Sequence, residues 1–183
     1  MSKVTVKPST VLFPVPTVMV TCGDNPPNII TIAWTGIINS VPPMVYISVQ
    51  PSRHSHHLIK QTQEYVINIP SADQAKLVDY CGITSGKNVD KFKETGLTPV
   101  PASRVKAPLI RECPVNIECG VKQTINLGSH DVFIAEVLAV HFNEDVLDEQ
   151  GNPNLDKIKP YGFCLRDYRV ISDKIGTYGY SKK

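Results

Sequence analysis

No stretch of this 183-residue sequence approaches the roughly eighteen consecutive apolar residues of a membrane-spanning helix. Net charge is also nearly absent. Lys plus Arg is 19 and Asp plus Glu is 17, leaving +2, with none of the basic stripe that a general nucleic-acid binder displays. Met1-Ser2-Lys3-Val4 opens no long apolar segment, so no secretory signal is expected. The five cysteines, Cys22, Cys81, Cys113, Cys119 and Cys164, are odd in number and irregular in spacing. That excludes a disulfide framework and points to a reducing, cytoplasmic setting. Low-complexity tracts, linkers and internal repeats are missing, and intrinsic disorder is excluded by ample Val, Ile and Leu. What is present is ordinary for a globular chain: 42% hydrophobic and 20% charged residues, with 15 prolines and 11 glycines spread along it. The length supports one substantial core, so a single domain over 1–183 is expected.

The elements arrive as short β-rich runs. Val15 to Thr21, Asn28 to Trp34 and Met44 to Gln50 lie within the first fifty residues, separated by Asn25-Pro26-Pro27 and Ser40-Val41-Pro42-Pro43. No crossover helix fits between them, so antiparallel neighbours are expected. Ser52 is placed to cap a short helix reaching about Gln61, and Glu64 to Ile69 reads as a fourth strand. Ser71 and Gln74 form a capping-box pattern ahead of a helix burying Ala75, Leu77 and Val78. Cys81 to Asn88 reads as a loop, Asp90 to Glu94 as one helical turn stopped by Gly96, and Pro99 to Pro108 as a connector. Cys113 to Lys122 and His130 to Phe142 are strands, the latter too long to be straight and flat. Asp145 to Pro160 reads as a polar loop, and Tyr168 to Ser172 as a last strand. The sum is a mainly β, antiparallel chain with two or three short helices, and closure into a barrel protects so many strand edges.

One segment concentrates polar chemistry: Ser48-Val49-Gln50-Pro51-Ser52-Arg53-His54-Ser55. Here a strand runs into a helix N-terminus, where free backbone N–H groups and the positive dipole end favour an anion. Arg53 adds a planar, permanently charged fork suited to phosphate, and Ser52 and Ser55 add hydroxyl donors. From spacing alone, plain capping by Ser52 with Arg53 on the surface is the commoner outcome. Upstream, Thr31-Ile32-Ala33-Trp34-Thr35-Gly36 sets small residues beside the only tryptophan. A flat ligand approaches such a strand end easily, and a core tryptophan beside a glycine bulge fits the same residues.

Seven segments stand in an order that resembles the flavin reductase-like family, and within it the flavoredoxin-type branch. They are Pro16 to Thr21, Asn28 to Trp34, Asn39 to Met44, Pro51 to Ser55, Tyr65 to Asn68, Asp90 to Phe92, and Ser129-His130-Asp131 leading into Phe133 to Val137. The resemblance spans roughly residues 10–170 and implies an FMN-binding, Greek-key split β-barrel. It implies that Thr31, Ala33, Trp34, Thr35 and Gly36 line the flavin ring and ribityl chain; backbone N–H groups around Thr35 and Gly36 are candidate donors to the reduced ring. It gives Ser48, Val49, Gln50, Ser52, Arg53 and Ser55 the ribityl hydroxyls and phosphate, and brings Cys81, Gly82, Ser85, Gly86 and Lys91 to the same cofactor. His130 falls where a nicotinamide or other donor stacks.

The implied activity is electron passage from NAD(P)H or a reduced protein, through FMN, to a flavin or iron–sulfur protein acceptor. The implied assembly is a homodimer. Two positions depart from the family pattern: Ser129 stands where many relatives carry an acid before the histidine, and Ala135 where many carry glycine. Both bear on nicotinamide binding more than on FMN. Gly82 to Asn88 falls short of a phosphate-binding P-loop, and it follows a helix instead of a strand. His54, His56 and His57 lack a second ligand cluster, so a solvated helix face is the expectation and no metal site is assigned.

Overall fold

The computed structural model describes residues 1–182, so the last residue of the 1–183 domain expectation lies outside it. Twelve strands carry most of the regular structure. In chain order they are β1 (Val15–Pro16), β2 (Val18–Cys22), β3 (Asn28–Ile32), β4 (Thr35–Ser40), β5 (Pro43–Val49), β6 (Glu64–Ile69), β7 (Pro99–Val100), β8 (Leu109–Ile110), β9 (Val115–Asn126), β10 (Asp131–Phe142), β11 (Tyr161–Cys164) and β12 (Asp167–Val170). Four helices join them: α1 (His54–Thr62), α2 (Ala75–Ile83), α3 (Lys91–Thr95) and α4 (Leu155–Ile158).

Seven strands form one sheet in the order β3-β2-β6-β9-β10-β5-β4, every pairing antiparallel. Its two edge strands, β3 and β4, are consecutive in sequence and separated only by Ala33 and Trp34. The sheet therefore curls until its ends meet at that turn, but no ladder joins β3 to β4. This is a barrel left open along one seam. The turn is tied across the seam by the Ser48 N–H, which donates to the Trp34 carbonyl at 2.9 Å. Strand β10 has register shifts at Ile134/Ala135 and Val137/Ala139, the bulges that a twelve-residue strand needs to wrap a barrel.

Period-two alternation decides what faces inward. Val18, Val20, Ile30 and Ile32 point into the barrel with Ile47, Tyr65 and Phe133, while Met19 and Ile29 point outward. Those outward residues pack against Val78 and Cys81 of α2 and Phe92 of α3. Burying a side chain of this size contributes about 1.5–3 kcal/mol, so this outer cluster fixes both helices against β3.

Several boundaries differ from the sequence expectation. The Val15–Thr21 run is two strands, and β1 pairs with β11 in a separate sheet. Strand β4 was not expected, because its Ile37 and Ile38 are exposed and its pattern lacks a buried face. Cys81 closes α2 and is not in a loop; its buried thiol packs in the outer cluster. The capping box forms at Ser71 and Gln74, with the Ser71 N–H donating to Gln74 Oε1 at 2.9 Å, but it starts a 3-10 turn that leads into α2. Ala75 and Leu77 are only half-buried, and Val78 and Cys81 carry the buried face. The proline-rich connector contributes β7, and the polar loop contains α4. Among the described residues, no helix is long and apolar enough to cross a membrane.

Candidate functional site

The seam opens onto a groove. It starts at the Ala33–Trp34 turn, passes the end of β5 and the N-terminus of α1, and runs beneath the end of α2 to the start of α3. Two adjoining cavities of about 170 and 190 Å³ make up this groove, sharing Ile30, Arg53 and Gly82. The first takes in Thr31, Ala33, Trp34, Ser48, Val49, Gln50 and His130. The second takes in Ser52, His54, Cys81, Thr84, Ser85, Gly86 and Lys91. Gly82 lets α2 sit close to β3, since a Cβ there would come within 3.2 Å of the Thr31 Cβ.

The first cavity is the flat end. Trp34 and His130 stack at its mouth with ring centroids 4.5 Å apart and planes inclined by 35°. His130 sits at the tip of the β9–β10 hairpin, with its Nδ1 3.0 Å from the Ser129 hydroxyl. A buried network anchors that tip. Asp131 Oδ2 lies 2.8 Å from His56 Nε2 on α1, and Asp131 Oδ1 accepts from Asn126 Nδ2 at 2.6 Å. The His56 hydrogen bond holds the Asp131 carboxyl below the ordinary carboxylate range. The pair thus braces the hairpin carrying His130 against the helix carrying Arg53.

The second cavity is the cationic end, lined by Arg53 and Lys91. Lys91 is 4% exposed, yet it forms no ion pair among the described residues. Its ammonium donates to the carbonyls of Ile29 at 2.7 Å and Cys81 at 2.6 Å, which leaves one of its three N–H donors over. Burial pushes its pKa below the ordinary lysine value. A desolvated cation lacking a counter-charge is costly, and an anion in the cavity it lines offsets that cost. Arg53 is exposed, is the N-cap residue of α1, and is likewise free of ion pairs among the described residues. These residues fit a flavin mononucleotide, with the Trp34 and His130 rings at one end and, at the other, two cations that form no ion pair among the described residues.

Three expected residues lie outside both cavities. Ser55 is 1% exposed, and its hydroxyl accepts from Asn28 Nδ2 at 2.7 Å. Thr35 donates to the Tyr46 carbonyl at 2.6 Å and lines a different cavity, shared with Val11 and Leu12. Gly36 pairs with Tyr46 in the β4–β5 ladder and packs against its ring. Ser52 lines the groove but caps nothing, because Arg53 takes the N-cap position without a side-chain bond. Sequence reasoning missed Ile30, Ile32, His54 and Thr84. For the two isoleucines the signal was the alternation along β3, which turns them to the same side as the barrel core. Among the described residues no group of His, Cys, Asp or Glu could hold a metal ion.

The flavin reductase like domain model matches residues 10–172, the whole of the seamed barrel and its groove. The chain belongs to the flavin reductase-like family. Among solved structures, flavoredoxin of Desulfovibrio vulgaris (Miyazaki F) is 33% identical and superposes with a TM-score of 0.92, with 100% of both chains covered. Flavoredoxin from Methanosarcina acetivorans is 26% identical at the same TM-score of 0.92, covering 100% of this chain and 98% of that one. These matches put this flavin reductase-like chain in the flavoredoxin-type branch, with the split-barrel fold. Among curated relatives, an uncharacterized protein of Pyrococcus abyssi is 37% identical over 145 residues, covering 79% of this chain and 83% of its own.

Proposed function

We propose that the protein is an FMN-dependent oxidoreductase that passes electrons from NAD(P)H or a reduced protein to a flavin or protein acceptor. The observation that carries this reading is the buried Lys91 ammonium, which has carbonyl partners but no carboxylate in a cavity it shares with Arg53. Bound FMN supplies the redox chemistry, and the chain supplies position and electrostatics. Lys91 and Arg53 hold the phosphate. Ser48 and Gln50 line the stretch that the ribityl chain crosses, and Trp34 with His130 borders the ring. No side chain is needed as acid, base or nucleophile for hydride delivery to a flavin, so His130 acts by orienting the donor.

A second reading is an electron carrier without NAD(P)H activity, acting as a flavoredoxin toward an iron–sulfur protein. Ser129 and Ala135 favour it, since both depart from the family pattern on the hairpin and strand bordering the ring. A spectrum of the purified protein, repeated anaerobically with NADH and with NADPH, separates the two. Bleaching of the flavin band within seconds supports the reductase; an unbleached band that dithionite reduces supports the carrier. A colourless protein that gains no flavin absorption when FMN is added sinks both.

Arg53→Ala is expected to weaken FMN by about 1.5–3 kcal/mol, the range for a hydrogen bond to a charged group. That is roughly tenfold to a hundredfold in the dissociation constant, readable by flavin fluorescence titration. An unchanged constant would show that the guanidinium does not reach the phosphate. The homodimer belongs to the same proposal. Ile37 and Val41 are 84% and 88% exposed on or beside the open edge strand β4, a surface that a second copy covers. Sedimentation equilibrium tests it directly. The five free thiols fit a cytoplasmic setting.

A further inference from the structure

The hairpin tip that carries His130 has no apolar anchor of its own. Residues 122–129, the outer end of β9 and the turn after it, are all exposed. A hairpin end with so few buried contacts opens easily. His130 is nonetheless held on the Trp34 ring at the mouth of the groove. What holds it is a run of contacts leading out from the barrel core. Phe133 is fully buried and meets the His56 ring edge-on, with centroids 5.4 Å apart. His56 Nε2 lies 2.8 Å from one oxygen of Asp131, and Asn126 Nδ2 donates to the other at 2.6 Å. Asn126 Oδ1 in turn accepts from the Gly128 N–H at 3.2 Å, and the Leu127 N–H donates to the His130 carbonyl at 2.9 Å. His56 and Asp131, at the root of this run, are 7% and 6% exposed.

A buried pair of this kind adds little net stability, because desolvating both groups offsets their attraction. Its advantage over an apolar contact is direction, since two carboxylate oxygens with separate partners fix the hairpin against the helix in one geometry. The helix is the one that carries Arg53, whose carbonyl accepts the His56 N–H at 3.0 Å. Across the sheet, Asp131 stands opposite Val49 and Val132 opposite Ser48, and both Ser48 and Val49 line the first cavity. The tip is therefore referenced both to the cation-bearing helix and to the wall of the groove. Neither His56 nor Asp131 lines either cavity. We propose that Asp131 and His56 are positioning residues, which set His130 against the ring end and so fix the face on which an electron donor stacks. The inference rests on the flavin reading for what the tip serves, and it adds two residues that touch neither flavin nor donor.

Trp34 is the only tryptophan, so its emission reports on the stack with or without a flavin. Acrylamide quenching of that emission, on the flavin-free full chain, tests the proposal. Asp131→Ala should be quenched about 1.5-fold more strongly or beyond, as the freed tip leaves the indole open. Asp131→Asn should return to the unaltered value, because its carbonyl still accepts from Asn126 and its amide N–H donates to a neutral His56. Equal quenching in Asp131→Ala and the unaltered protein overturns the proposal, and so does an asparagine variant as open as the alanine one. Far-UV circular dichroism checks the fold. Should Asp131→Ala not fold, His56→Ala removes the same bond from the helix side and leaves Asn126 in place; it too should open the stack, and an unchanged stack there overturns the proposal. At saturating FMN, the visible circular dichroism of the bound flavin should weaken in the alanine variant and recover in the asparagine one; an unchanged band overturns the link between tip and ring. Failure of the unaltered protein to bind FMN would instead remove the flavin reading, while the Trp34 quenching still decides whether the pair holds the tip.

Discussion

Replacing Glu118 by glutamine is expected to cost about 3 kcal/mol of folding free energy at pH 7, and less as the solution is acidified. Glu118 lies on β9 with a fully buried side chain. Its Oε1 accepts from the Ser103 N–H and hydroxyl, both at 2.8 Å, and lies 2.6 Å from His141 Nε2. Its other oxygen accepts from the N–H groups of Arg104 and Val105. Burial by itself would raise the pKa, but these donors outweigh it and bring the group from 4.5 down to about 2. The unfolded chain therefore takes up this proton near pH 4.5 and the folded chain only near pH 2. The stabilisation is complete above the higher value and lost as pH falls through the lower one. The gap corresponds to about 3 kcal/mol. Urea denaturation at several pH values from 7 to 3 reads it. A difference between the two proteins that does not shrink below pH 4.5 would show that the carboxylate's charge is not what the loop at Ser103 to Val105 binds.

Lys91→Met should weaken FMN at least a hundredfold, about 2.7 kcal/mol or more. The loss exceeds that expected for Arg53 because the ammonium is shielded from water, where an ionic contact is worth more. Without ligand, the variant loses two hydrogen bonds to the Ile29 and Cys81 carbonyls but also sheds a buried charge, so its own stability moves by less than its affinity. FMN affinity in the unaltered protein should fall with rising pH as Lys91 loses its proton, and it does so below the ordinary lysine value of 10.5 because burial lowers that pKa. Methionine at this position removes that alkaline limb. Equal affinity in the two proteins would place the phosphate elsewhere.

The legible parts of the sequence were those where local pattern and tertiary demand coincide. The strand alternation at Val45, Ile47 and Val49, the Ser71–Gln74 capping box and the stop at Gly96 (φ 70°) are all found where the residues indicated. The groove was legible mainly through resemblance, since Arg53 and Lys91 converge although 38 positions apart (91 − 53), and no spacing rule joins them. Strand β4 was illegible because an edge strand with exposed Ile37 and Ile38 carries no burial pattern of its own. Ser55 was misleading for the opposite reason. Its hydroxyl looks available beside Arg53, and only the fold reveals Asn28 behind it.

The placement of the thiols matters if the proposed flavin is bound, because a reduced flavin reacts with oxygen to give peroxide. Cys22 and Cys119 are pushed by burial up to about 12, and Cys81 to about 11, while Cys164 alone is partly exposed. Because the thiolate is the nucleophile that attacks peroxide, the four buried thiols are unreactive at neutral pH. Iodoacetamide applied to the native protein should label one site, Cys164, and leave the remainder for detection only after denaturation. A flavin held as proposed would release peroxide beside thiols of which Cys164 alone is open to it.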